Sequence, residues 1–232
     1  MKKPLILVGG GGHCKAAIDI AESAGYQILG ILDQKDKVGE DVLGYKVIGV
    51  DDDIPLYVSQ AEFLITVGFV INPTLRITLY NRVKEAGGVL ATIVSPTAYV
   101  SKYTKIGEGT IIMHKAIICV GAKIGRNCII NTMADVDHCA EIGDFSHLSA
   151  NVLVAGDAKV GDRCFCGIGS VISSGVSITS DVILGAGTLV VKNIEDPGVY
   201  VGHPSHIICK LIYILTKFKR KSFLQGKASF RQ

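Results

Sequence analysis

The stretch that decides the fold runs from residue 124 to 148, IGRNCIINTMADVDHCAEIGDFSHL. An aliphatic side chain returns at every sixth position in it: Ile124, Ile130, Val136, Ile142 and Leu148. Working outward keeps the register, with Val94, Val100, Ile106, Ile112 and Ile118 before it and Val154, Val160, Cys166, Ile172, Ile178, Leu184 and Val190 after it. Of these seventeen positions sixteen are aliphatic, and the exception, Cys166, is a small residue of buried type. Four places beyond most of them stands a small or β-branched residue, such as Ala116, Ala122, Cys128, Ala134 or Ser146. Gly follows the aliphatic residue at 107, 125, 143 and 161, eighteen apart, which is three sixes.

A period of six with a superperiod of eighteen describes a triangular coil with three flat sides per turn. The aliphatic residue of each side points into the prism and the small residue fits near a corner. The recurring Gly is expected at one corner, where the backbone bends most easily without a Cβ. Stacked coils pair their backbones in parallel and bury one continuous core. An amphipathic helix is excluded, because a 3.6-residue stripe drifts out of a strict six.

The composition agrees. Among 232 residues 48% are apolar, only 6% are aromatic, Trp is absent and there are 27 Gly. A core of small aliphatic side chains with frequent turns suits a repetitive fold better than one built around large rings. A net charge of +3 argues for neither nucleic acid nor a membrane surface as partner. Seven scattered Cys point to reduced thiols in a cytoplasmic protein. The apolar run of four residues before Gly9, Leu5 to Val8, is too short for a signal peptide.

Residues 4–93 have a different pattern. Leu5-Ile6-Leu7-Val8 reads as a buried strand, followed by the loop Gly9 to His13 and a helical stretch carrying Ala17, Ile18, Ile20 and Ala21. Strands at 28–32, ending before Asp33, and at 63–67, ending at Gly68, then precede a helix at 74–86 and a strand at 89–94. Alternating strands and helices predict a small parallel α/β sheet. Its glycine loop opens a helix whose free N–H groups suit an anion, although counting from Gly10 the G-x-G-x-x-G pattern breaks at Lys15. The expected organisation is a Rossmann-like domain (1–93), a left-handed parallel β-helix (94–204) and an extension (205–232).

The pattern of aliphatic residue, Gly, two variable residues and a small one resembles the hexapeptide-repeat acyltransferases, which form left-handed β-helices, usually as homotrimers. The Gly9–His13 loop in front of it, with Leu32-Asp33, Thr66-Val67-Gly68, Asn131-Thr132, Asp137-His138, Ile142 to His147, Gly156 and Val201-Gly202-His203-Pro204, narrows the resemblance. It is to the sugar O/N-acetyltransferases that modify nucleotide-linked 4-amino sugars or sialic acid. The resemblance implies an acetyl-CoA-dependent N-acetyltransferase of bacterial surface glycan synthesis, working by direct transfer and without a metal. It implies His138 as general base, with Asn131 orienting the sugar. It implies His147 at the thioester end of coenzyme A, with further contacts at Gly156, Ile168 and Ala186. Gly11, Gly12, His13, Asp33, Gln34 and Gly68 match positions that hold the nucleotide sugar.

Two features depart from that family. An acidic residue usually follows the catalytic His, and here the position is Cys139. Asp137 or Glu141 substitutes, a neighbouring subunit supplies the carboxylate, or the His acts with weakened activation, and Cys139 beside an imidazole is a candidate nucleophile. The chain also continues past Pro204 with an apolar run and then Lys217, Lys219, Arg220 and Lys221. A helix from about 205 to 220, packed on the rod or touching anionic lipid, is one expectation for it. Two alternatives remain: O-acetylation of sialic acid, and a non-catalytic β-helix that scaffolds or senses nucleotide sugars.

Overall fold

The computed structural model describes residues 3–210. The first layer is a sheet built from β1 (Leu5–Val8), β2 (Ile28–Leu32), β3 (Asp41–Val42), β4 (Tyr45–Gly49) and β5 (Glu62–Ile65), in the order β3-β4-β2-β1-β5. β1 pairs in parallel with both β2 and β5, β2 pairs in parallel with β4, and β3 is antiparallel to β4. All four residues of β1 are buried, as expected of a central parallel strand covered on both faces. Helices α1 (Gly12–Ser23), α2 (Ile54–Tyr57) and α3 (Thr74–Glu85) connect the strands. In α1 the buried side chains Cys14, Ala17, Ile18 and Ala21 recur at helical spacing and face the sheet.

The strand expected at 89–94 is divided, and the division makes the joint between the two regions. Leu90 bridges to Phe63 of β5, whereas Ile93–Val94 pairs with Ile111–Ile112 and starts the rod. From there two-residue strands repeat every six residues and pair in parallel with the strand eighteen residues on, as in Ile117↔Asp135 and Ile118↔Val136. The chain is a Rossmann-like module followed by a left-handed β-helix. The aliphatic ladder Ile112, Ile118, Ile124, Ile130, Val136, Ile142, Leu148 and onward forms one core, with the small residues Ala116, Ala122, Cys128, Ala134 and Ala140 buried beside it.

The corners differ from the sequence expectation in an instructive way. The left-handed backbone position is two residues beyond the expected Gly, and it recurs every six residues: Gly109, Lys115, Gly121, Asn127, Met133, Cys139, Phe145, Asn151, Asp157 and Arg163 all have φ between 51° and 75°. Most are not Gly, so the chain accepts a cost of roughly 1 kcal/mol at such corners. Inter-coil hydrogen bonds such as Asn127 N–H to Glu108 O at 2.8 Å hold them. The Gly at 107 and 125 answers a different demand. A Cβ at Gly107 would lie 2.5 Å from the Arg126 nitrogen, and one at Gly125 would lie 2.7 Å from the Asp144 nitrogen. Tight stacking of coil on coil, rather than a bend, requires Gly there.

Each strand of the rod turns one side chain outward, and the three sheets give three unlike walls. On the first, Ile93, Ile111 and Ile129 are fully buried against Leu5, Leu7, Ala17, Ile18 and Leu64 of the module. The second carries Tyr99, Ile117, Asp135, Leu153, Val171 and Leu189, with Tyr99, Ile117 and Leu153 exposed. The third is charged, with Lys105, Lys123, Glu141 and Lys159 in a row and Glu141 bridging to Lys123 at 3.0 Å and Lys159 at 3.8 Å.

The helix expected from about 205 does not begin there. His206–Lys210 is a strand, antiparallel to Gly198–Val201 at the end of the first wall. The basic cluster at 217–221 lies outside the described residues. No helix among the described residues is long and apolar enough to cross a membrane.

Candidate active site

The glycine loop is held from two sides. Gly9 adopts φ 103°, and a Cβ there would come 2.4 Å from the Val67 side chain. The Gly10 N–H donates to Asp33 Oδ2 at 2.7 Å, the Gln34 N–H donates to Asp33 Oδ1 at 2.7 Å, and the Lys37 ammonium lies 3.3 Å from Oδ2. Burial disfavours the charge on Asp33, but these donors outweigh it and hold its carboxyl below the usual carboxylate range. Asp33 thus braces the loop. Gly11 and Gly12 are exposed and open the first turn of α1 with clear space where a Cβ would be. Their position at a helix N-terminus leaves donors and the positive end of the dipole free for an anion.

His13, in that first turn, packs over Gly68, whose hypothetical Cβ would touch it at 3.6 Å. Its ring centroid is 6.4 Å from that of His147, which also stacks edge-on with Phe69 at 5.7 Å and Phe165 at 5.1 Å. His147 points outward from the prism, yet the module covers it and leaves it 8% exposed. Its Nδ1 donates to the Phe69 carbonyl at 2.9 Å, which leaves Nε2 as the acceptor facing Asn131 Nδ2 at 3.5 Å. Desolvation, with a contribution from the Arg76 charge, lowers its pKa to about 4 against the opposing Phe69 hydrogen bond. Desolvation first, then the charges of Arg76 and His147, lowers His13 to about 3. Both imidazoles are therefore neutral near pH 7.

Arg76, which sequence reasoning missed, lies behind this pair. It is 1% exposed and donates to the carbonyls of Ile65 at 2.6 Å, Val67 at 2.9 Å and Asn127 at 3.0 Å. Burial lowers its pKa to about 9. The guanidinium ties the end of β5 to a corner of the rod. Phe165 was legible in principle, standing eighteen residues beyond His147 on the same wall.

A second group gathers on the opposite edge of the exposed apolar wall. The His138 ring lies across Gly156 in the next coil, where a Cβ would fall 2.3 Å from its Cε1. Gly156 therefore makes room for the imidazole. Asp137 accepts from the backbone N–H of His138 at 2.6 Å, and Glu141 is engaged by Lys123 and Lys159. The carboxylate that does approach His138 and Cys139 belongs to Asp157, one coil above Cys139. Ile168 and Ala186 are exposed and share the Asn131 edge, with the Gly187 N–H bonded to the Ile168 carbonyl at 2.8 Å. Sequence-expected residues thus fall into two sets: Gly11, Gly12, His13, Asp33, Gln34, Gly68, Asn131 and His147 near the module, and Asp137, His138, Cys139 and Gly156 across the wall.

Residues 4–83 match the model of the PglD N-terminal domain. A GDP-perosamine N-acetyltransferase of Escherichia coli O157:H7 is 31% identical over 183 residues, covering 72% of this chain and 81% of that protein. The chain belongs to the hexapeptide-repeat sugar N-acetyltransferases. Within this family of sugar N-acetyltransferases the crystal structure of PerB from Caulobacter crescentus, in complex with CoA and GDP-perosamine, is 33% identical with a TM-score of 0.83, covering 88% of this chain and 97% of that one. It has also been solved with one histidine replaced by Asn or by Ala, again with CoA and GDP-perosamine. The acetyltransferase domain of PglB from Neisseria gonorrhoeae is 28% identical with a TM-score of 0.83, covering 89% and 100%. The match to UDP-3-O-acylglucosamine N-acyltransferase of Bordetella avium, 30% identical, covers 58% of this chain and about a third, 34%, of that protein's length.

Proposed function

We propose that this chain is an acetyl-CoA-dependent N-acetyltransferase of a nucleotide-linked 4-amino sugar, serving bacterial surface glycan synthesis in the cytoplasm. The observation that carries the reading is the His138 imidazole laid on Gly156 at an exposed edge of the rod, in a chain that also presents a glycine-loop helix N-terminus. The sugar amine attacks the thioester carbonyl, a C–N bond forms, the C–S bond breaks, and His138 takes the amine proton and returns it to the departing coenzyme A thiolate. Gly11, Gly12, His13, Gln34 and Gly68 form the nucleotide-sugar seat, braced by Asp33. Asn131 and His147 lie beside that seat, so in this reading His147 orients the sugar side and not the thioester. Ile168, Ala186 and Gly156 line the coenzyme path, in two edges rather than one.

That last point supports a homotrimer. His138 stands at one edge of the exposed wall and Asn131, Ile168 and Ala186 at the other, so a second copy packed against Tyr99, Ile117 and Leu153 brings opposite edges together. The domain division taken with this reading is 1–93, 94–204 and 205–232.

The test is coenzyme A thiol release with UDP-linked 4-amino sugar, GDP-linked 4-amino sugar and free sialic acid as acceptors. Turnover is expected with a nucleotide-linked amine, and His138→Ala should lower kcat by about 100-fold or more. Preference for sialic acid would replace N- with O-acetylation, and no turnover with any acceptor would favour a scaffold or sensor. A dead Cys139→Ala beside an active His138→Ala would move the nucleophile to the thiol.

A further inference from the structure

Cys139 does more than vacate an acidic position. It puts a thiol beside an imidazole and beneath a carboxylate. A nitrogen of His138, the Sγ of Cys139 and a carboxylate oxygen of Asp157 all lie within 4.8 Å of one another, and all three residues are exposed. The coil geometry produces the cluster. Cys139 and Asp157 are eighteen residues apart, both at left-handed corners with φ 56° and 58°, and the Asp157 N–H donates to the His138 carbonyl at 3.0 Å. Below, Gly121 leaves room for the thiol, since a Cβ there would lie 3.1 Å from the Cys139 Sγ. The backbone is thus pinned while the three side-chain ends converge on one point outside the rod.

We propose that His138, Cys139 and Asp157 form a binding site for a borderline-soft divalent cation of the zinc class, which switches the enzyme off. One imidazole nitrogen, one thiolate and one carboxylate are the donor types such an ion selects, with water in the fourth tetrahedral place. Bond lengths of about 2.0 to 2.3 Å put neighbouring donors at roughly 3.5 Å, so side-chain rotation closes the cluster without moving the coils. Binding displaces the Cys139 proton to solvent. A neutral imidazole has a single lone-pair nitrogen, and once the metal holds it no base remains to receive the amine proton. The inhibition rests on His138 being the base; the site itself does not.

Cobalt(II) is the probe, titrated into the full-length protein with Cys209, the other exposed cysteine among the described residues, changed to Ser. One equivalent per chain should bring up a thiolate-to-cobalt charge-transfer band, absent in Cys139→Ala and weakened at least tenfold in midpoint in Asp157→Asn. Thiol release should fall along the same titration curve and recover with chelator. Lack of the band, or its persistence in Cys139→Ala, would overturn the site. A normal band with acetyl transfer undiminished would leave the site standing and remove His138 as the base.

Discussion

Two walls of the same rod are built by one repeat and meet different fates. On the first, Ile93, Ile111, Ile129 and His147 point outward and are buried by the module. On the second, Tyr99, Ile117 and Leu153 point outward in the same way and remain exposed at 61%, 40% and 36%. This apolar row, interrupted by Asp135, is the face the proposed trimer would bury. The difference teaches that the repeat specifies which residues leave the prism, while the partner laid against each wall specifies their chemistry. His147, under cover, is a neutral hydrogen-bonded side chain, whereas His138, uncovered, stays exposed at the rod's edge and is the proposed base.

The largest effect should come from uncovering that parallel. Ile117→Asp combined with Leu153→Asp should turn the proposed trimer into monomers by sedimentation equilibrium and lower acetyl transfer by about 100-fold, since each site draws on two edges. The melting of the coils should stay close to wild type. A trimer that survives both charges would assign the assembly to another surface.

Arg76→Ala tests the covered wall. It strands the carbonyls of Ile65, Val67 and Asn127 and should cost about 3 kcal/mol or more in urea denaturation. Arg76→Lys should recover only part of this, because a single ammonium cannot span three carbonyls in the plane of a guanidinium.

The smallest effect is a pH dependence. His13 and His147 titrate at about 3 and about 4 when folded and near 6.5 when unfolded. The unfolded chain therefore binds more protons below pH 6.5, and stability present above that pH is lost as the pH falls toward 4. His147 alone contributes an upper limit of about 3 kcal/mol between pH 7 and 4. His147→Gln should flatten denaturation midpoints across that range. An unchanged slope would place the pH response elsewhere.

The rod was legible in detail. A strict six from Val94 to Val190 predicted the inward ladder, and the strands fall on it. The reason for the glycines was not, since coil-to-coil contact at Gly107 and Gly125 and the left-handed corners two residues later are properties of stacked backbones. The pairing of His138 with Gly156 reflects the same eighteen-residue offset, so it was open to a reader who stacked the coils. Arg76 carried no such signal: an arginine in the first turn of α3 looks like a solvated residue until Asn127 closes over it.

Local sequence alone determined the period, the inward core and the α/β order of the first region, because strand alternation and helix spacing are set by neighbours along the chain. Tertiary structure alone decided that His147 is buried and His138 open, and that Asp33 braces a loop. Each of those depends on which distant segment excludes water from a side chain or arrives within bonding distance of it, and neither property is written in the spacing of residues.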